Sequence, residues 1–167
     1  MDTWGTSGQP VRDFTLYSGT LGTAFLLFKA YEVTENKADM LLRLEIVKAC
    51  DYASRSNSSD HPDEFLYGRS GFLWACSFIN KHIGDGTIPK TKMLAVADEI
   101  MKNGRVMAKE GGPPLMFEWY GERYCGAAHG LAGIMHGLMD VELAPDQVND
   151  VKRTLYYMIK NRFLSGN

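Results

Sequence analysis

Hydrophobic positions in this chain follow two alternating patterns. Three stretches are apolar on nearly every side: "LYSGTLGTAFLLFKAY" from Leu16, "LYGRSGFLWACSFIN" from Leu66 and "AAHGLAGIMHGLMD" from Ala127. Three others are apolar on one side only. In 37–54 the stripe is Leu42, Ile46, Ala49 and Ala53, with Arg43, Glu45 and Asp51 elsewhere on the wheel. In 90–109 it is Met93, Ala97, Ile100, Gly104 and Met107, and in 145–160 it is Val148, Val151, Leu155 and Ile159. Steps of three and four residues are the helical period, and no segment alternates with the period of two that a strand needs. Pro145 and Asp146 suit the first turn of the last helix.

Each all-apolar stretch opens on Gly-x-x-Gly: Gly19 and Gly22, Gly68 and Gly71, Gly130 and Gly133. An element apolar all round has to be covered on most faces, whereas a one-sided helix can face water. The pattern therefore predicts an all-α protein of three helical hairpins, over about 16–56, 64–109 and 124–162, in one domain spanning 1–167. Glycine-led helices form the inner layer and amphipathic helices the outer one. The glycines are expected to permit a tight, left-handed helix entry and close approach between inner helices.

Composition narrows the function. The chain has 167 residues, is 45% hydrophobic and carries a net charge of −2. That is one globular domain without the basic surplus nucleic acid requires, so no nucleic-acid partner is expected. No signal peptide is readable at the N-terminus, and no apolar run approaches the roughly 20 residues of a membrane span. Hence the expected location is the cytoplasm, without an integral span. Three sparse cysteines, Cys50, Cys76 and Cys125, form no disulfide framework and are expected to be buried thiols.

The motifs "LYGRSGFLWA", "PPLMFEWYGERY" and above all "GAAHGLAGI" resemble the eukaryotic lanthionine synthetase C-like family, closest to its plant members. The similarity runs from Leu16 to Asn167. It implies a toroid of seven α-hairpins, of which this chain holds three, so that the expected fold is a partial α/α toroid. It implies thiol chemistry as well. Bacterial members of the family add cysteine thiols to dehydrated serine or threonine in peptides, and eukaryotic ones add glutathione to similar dehydroamino acids. Both use a zinc ion held by two cysteines and a histidine, in "WCHG"-like and cysteine motifs that do not occur in this sequence. The chain also passes directly from "DYASRSNSS" to "HPDEFLYG", where the family normally carries another glycine-led hairpin. The expectation is a truncated form with no metal site and no cofactor, inactive alone.

Four residues are candidates for the site. The family motif places an acid/base histidine at His129, whose ordinary titration range suits proton delivery near neutrality. Arg69 at a helix entrance suits a substrate carboxylate. Glu64 offers a cavity carboxylate, although solvation in a loop is the plainer expectation for it and for Asp63. Tyr124, with Trp119 and Tyr120, is expected to wall the cavity or plug its mouth. His136 is expected to be a core histidine. Cys125, His129 and His136 would share a metal-binding face only on one unbroken helix, and the glycine turn at Gly130 breaks it.

Two alternatives have no catalytic role. An open arc would leave Phe72, Trp74, Phe78 and Met135 uncovered on the inner helices, ready for a protein partner or self-association. Plant relatives also suggest a receptor-like role in hormone signalling, peripheral at the plasma membrane. A glycosidase, another occupant of α/α toroids, would need paired carboxylates that the sequence does not show.

Overall fold

The structure is a computed structural model that describes residues 13, 15–35 and 61–162. Five helices make it up: α1 (Thr20–Thr34), α2 (Arg69–Ile83), α3 (Lys90–Met107), α4 (Leu131–Met139) and α5 (Pro145–Lys160). Among the described residues there is no strand, only an isolated bridge between Trp119 and Glu122. The inner layer is α1, α2 and α4; α3 packs back on α2, and α5 on α4. The all-α, two-layer arc of a partial α/α toroid is therefore what the molecule forms. The amphipathic segment 37–54, including Cys50, lies outside the described residues.

Within each repeat the glycines solve one packing problem three times. The first residue of each inner helix donates its N–H to the carbonyl seven residues earlier: Thr20 to Asp13, Arg69 to Pro62 and Leu131 to Tyr124, at 2.9–3.0 Å. The approach segment is thus folded hard against the helix start. A Cβ at Gly22, Gly71 or Gly133 would overlap the carbonyl oxygen of Leu16, Phe65 or Ala127 respectively. The N-cap glycines have φ of −94°, −118° and −120°, so their backbone is extended and the expected left-handed entry does not occur. Close approach, not unusual φ, is what demands glycine here.

The core between the layers holds Phe72, Leu73, Cys76, Ile79, Ile100, Met101, Leu131, Ile134, Met135 and Leu138. α2 and α4 come so close that a Cβ at Gly137 would lie 2.7 Å from the Ser70 carbonyl oxygen. Phe72 and Met135, expected as uncovered, are buried at 3% and 0% exposure. Half-buried Trp74 and Phe78 pack against Phe25 of α1. His136 is exposed rather than in the core, because its neighbours Met135 and Gly137 occupy the buried side of α4.

The outer helices show where an apolar stripe misleads. On α3 the stripe reads correctly, with Met93, Ala97, Ile100 and Gly104 buried. On α5 the buried residues are Gln147, Val151 and Thr154, and Ile159 is exposed. The helix is turned from the apolar stripe because two polar side chains have inward work. Thr154 Oγ1 accepts from the buried Leu115 N–H at 3.3 Å, and Gln147 Nε2 donates to Asp98 at 2.7 Å. Satisfying buried polar groups outweighs moving one isoleucine out of water.

The turn between α2 and α3 is latched by one side chain. Asn80 Oδ1 accepts the Ile88 N–H at 2.7 Å, and its Nδ2 donates to the Ile88 carbonyl at 3.0 Å. Ile88 itself is buried. Asn80→Ala leaves both backbone groups unpaired and is expected to cost about 1–3 kcal/mol, read from the urea midpoint. An unchanged midpoint would show the latch to be dispensable.

Candidate functional site

The repeat geometry assembles the site. Neighbouring helix-entry loops are joined through their backbones in the same register. Leu16 N–H donates to Leu66 O at 3.0 Å, and Phe65 N–H donates to Ala128 O at 3.2 Å. In each case the donor lies three residues before its first glycine and the acceptor two residues before the next repeat's. That register lays Glu64, four residues before Gly68, beside His129, the residue before Gly130.

The two side chains meet. His129 Nδ1 lies 2.7 Å from Glu64 Oε2, with Glu64 2% exposed and the His129 side chain 31% exposed. Loop solvation of Glu64, the plainer expectation, is corrected by this burial. The carboxylate also accepts the Leu66 N–H at 3.0 Å on Oε2 and the Tyr67 N–H on Oε1. A carboxylate taking N–H bonds on both oxygens acts as acceptor toward the ring too, which assigns the proton to Nδ1. His129 Nε2 is then free of hydrogen bonds among the described residues, on a side chain that is part-exposed.

Aromatic rings surround the imidazole. Tyr67 and Trp119 lie nearly parallel to it, at 6.1 Å and 3°, and at 5.4 Å and 9°. Tyr124 is tilted at 59° with its centroid 6.3 Å away. Tyr67 and His129 occupy equivalent places, each just before an N-cap glycine, so successive repeats set their rings side by side. Tyr120, expected at the cavity mouth, is 87% exposed.

Arg69 is not brought to this group. Its Nη1 donates to Asp63 Oδ1 at 2.8 Å and to the His61 carbonyl, the residue is 8% exposed, and Nη2 is buried without a partner. Asp63, expected in solvent, takes a second bond from Asn103 Nδ2 at 3.0 Å. Burial raises the Asp63 pKa above the usual carboxylate range, outweighing the lowering effect of Arg69. The Arg69–Asp63 pair thereby fixes the loop from which Glu64 reaches His129. Of the four candidates, Glu64, His129 and Tyr124 converge.

The zinc that the resemblance implies finds no set of three His, Cys, Asp or Glu able to hold it among the described residues. Cys76 is buried as expected, but Cys125 is exposed. No helix among the described residues is long and apolar enough to cross a membrane.

Similarity to known proteins agrees with this architecture. The sequence pattern of the family described as "Lanthionine synthetase C-like protein" matches residues 10–62 and 52–167. The LanC-like protein GCL1 of Arabidopsis thaliana is 34% identical over 213 aligned positions, covering 95% of this chain and 49% of the relative. The Glutathione S-transferase LANCL1 of Danio rerio is 38% identical over 113 positions, covering 64% of this chain and 28% of the relative. This chain thus spans about half, or less, of the curated relatives it matches. The 213-position alignment exceeds the 167 residues present, so that relative carries residues without counterparts here. The chain belongs to the lanthionine synthetase C-like family.

Proposed function

We propose that His129 and Glu64 form the proton-delivering pair of a thiol addition to dehydroamino acids in peptides, with glutathione as the thiol; the expected inactivity of this chain alone then concerns glutathione itself, not a thiol that arrives already ionised. The observation that carries this reading is the 2.7 Å bond from His129 Nδ1 to a buried carboxylate, which leaves Nε2 without a hydrogen bond among the described residues on a part-exposed side chain. A relative named as a glutathione S-transferase supports the choice of thiol.

The chemistry follows from the atoms present. The thiolate sulfur bonds to the β-carbon of a dehydroalanine, and the double-bond electrons move toward the α-carbon and its carbonyl. An imidazolium at His129 gives the Nε2 proton to the α-carbon, completing the saturated thioether. The neutral ring takes its next proton from water or buffer, which also receives the proton of any thiol that ionises. Glu64 keeps Nδ1 as the protonated nitrogen throughout and balances the cationic form. Arg69 acts at one remove by holding the Asp63–Glu64 loop, and half-exposed Tyr124 faces the substrate. No step runs through a metal.

Face-selective protonation gives a direct test. Uncatalysed addition to a dehydroalanine peptide delivers the proton to either face and yields both α-carbon epimers. In the presence of this chain and an acidic aryl thiol, already ionised at neutral pH, one epimer is expected in excess by chromatography. Equal epimers with and without the chain would overturn the reading.

A further inference from the structure

A single hydrogen bond at Nδ1 sets one corner of the imidazole but leaves the plane of the ring free to rock. The surrounding rings supply what that bond cannot. Tyr67, Trp119 and His129 form a mutually near-parallel set, with centroids 5.4–6.2 Å apart and interplanar angles of 3–9°. Offset parallel stacking resists tilting of any one ring in such a set.

Tyr67 comes from the repeat, being the counterpart of His129 one hairpin earlier. Trp119 belongs to no repeat. It is delivered by a separate tight turn in which Trp119 N–H donates to Glu122 O at 2.8 Å and Glu122 N–H to Trp119 O at 3.1 Å. Tyr120 and Gly121, at φ 49° and 80°, supply the two left-handed residues that such a turn demands. A tyrosine in that conformation is unfavourable, yet its ring is laid edge-on against the indole at 4.6 Å and 74°. The turn therefore holds Trp119 against both Tyr120 and the His129–Tyr67 pair.

We infer that Trp119 is a positioning residue for His129: the turn at 119–122 presses its indole along the imidazole, fixing the ring plane so that Nε2 keeps one direction. This deepens the proton-delivery reading and rests on it for its catalytic meaning, but the positioning itself is measurable without turnover.

The test is nitrogen-15 and proton NMR of the histidine rings in the full chain at alkaline pH, where imidazoles are neutral. His129→Gln identifies the His129 signals among the four histidines. In the wild type, His129 is expected to show one protonated Nδ1, one bare Nε2 and nuclear Overhauser contacts to an indole ring. Trp119→Leu is expected to average the two nitrogen shifts toward each other and cut any epimer excess several-fold; Trp119→Phe, keeping a flat ring, is expected to restore both. Nitrogen shifts unchanged in Trp119→Leu, or no indole contact in the wild type, would overturn the inference. Should Trp119→Leu not fold, the wild-type His129 ring protons decide: they are expected upfield of their urea-unfolded positions, and no displacement overturns it. If the epimer excess survives in His129→Gln while the NMR result holds, proton delivery fails and positioning stands.

Discussion

Gly133→Ala is expected to lower the stability of this chain by about 3–5 kcal/mol, against the 5–15 kcal/mol typical of a whole domain. The added Cβ would overlap the Ala127 carbonyl oxygen and approach Phe65 Cβ to 2.9 Å. The first of these is backbone, so no rotamer change relieves the clash. Relief requires lifting the 124–129 approach segment off α4, and that breaks the bonds from Leu131 to Tyr124 and from Ala132 to Cys125. The matched control is Gly126→Ala, seven residues earlier, where nothing lies within 4 Å of an added Cβ. It is expected to change stability by under about 0.5 kcal/mol. Urea midpoints measure both. Equal midpoints for Gly133→Ala and the wild type would show that the helix entry is loose enough to admit a Cβ and that close approach does not demand glycine there.

That contrast also marks what the sequence discloses. Gly-x-x-Gly followed by an apolar stretch was enough to place α1, α2 and α4, because only a residue without Cβ fits where a segment folds back on its own helix start. Likewise the stripe from Met93 to Gly104 was enough for α3. Gly104 even has its partner in the chain: a Cβ there would sit 2.5 Å from the Phe117 ring, which the 113–117 segment lays along α3. Legibility failed where polar atoms do the packing. Gln147 and Thr154 turn inward on α5 for partners, Asp98 and the Leu115 N–H, that lie 49 and 39 residues away. Periodicity weighs side chains one at a time and cannot see such partners.

The site divides in the same way. His129 was legible from its motif. Its bond to Glu64 was not, since the two are 65 residues apart and meet only through the register of adjacent loops. That register could have been sought by aligning the repeats on their first glycines, where Glu64 is the carboxylate at a place filled by Thr15 and Gly126 in the others. Tyr67 would have emerged from the same alignment as the counterpart of His129. Arg69 was misdirected by its position alone. A guanidinium at a helix entrance can face outward to a ligand or inward to its own loop, and the nearby Asp63 draws it inward.

His129→Gln should abolish the epimer excess and slow chain-dependent addition by about 10²–10⁴-fold, the usual contribution of a positioned acid. Glutamine keeps the size and one donor but cannot carry a proton to carbon. Glu64→Gln tests the partner more sharply, because it changes the chemistry with little change in shape. Glu64 accepts from Leu66 N–H, Tyr67 N–H and His129 Nδ1 at once. An amide turns one of those acceptor ends into an NH₂ group facing a donor. At Oε2 the NH₂ faces His129 Nδ1 and Leu66 N–H, so the ring loses its partner or adopts the opposite tautomer; at Oε1 it faces Tyr67 N–H, and the ring keeps only a neutral acceptor in place of the carboxylate. The net loss of about 1–3 kcal/mol in holding the reactive form corresponds to an addition slower by about fivefold to 150-fold. His129 should also lose its single-tautomer nitrogen signature, with the helices intact by circular dichroism. Wild-type rates and tautomer in Glu64→Gln would show the carboxylate to be a bystander, leaving His129 to act without the partner that sets its direction.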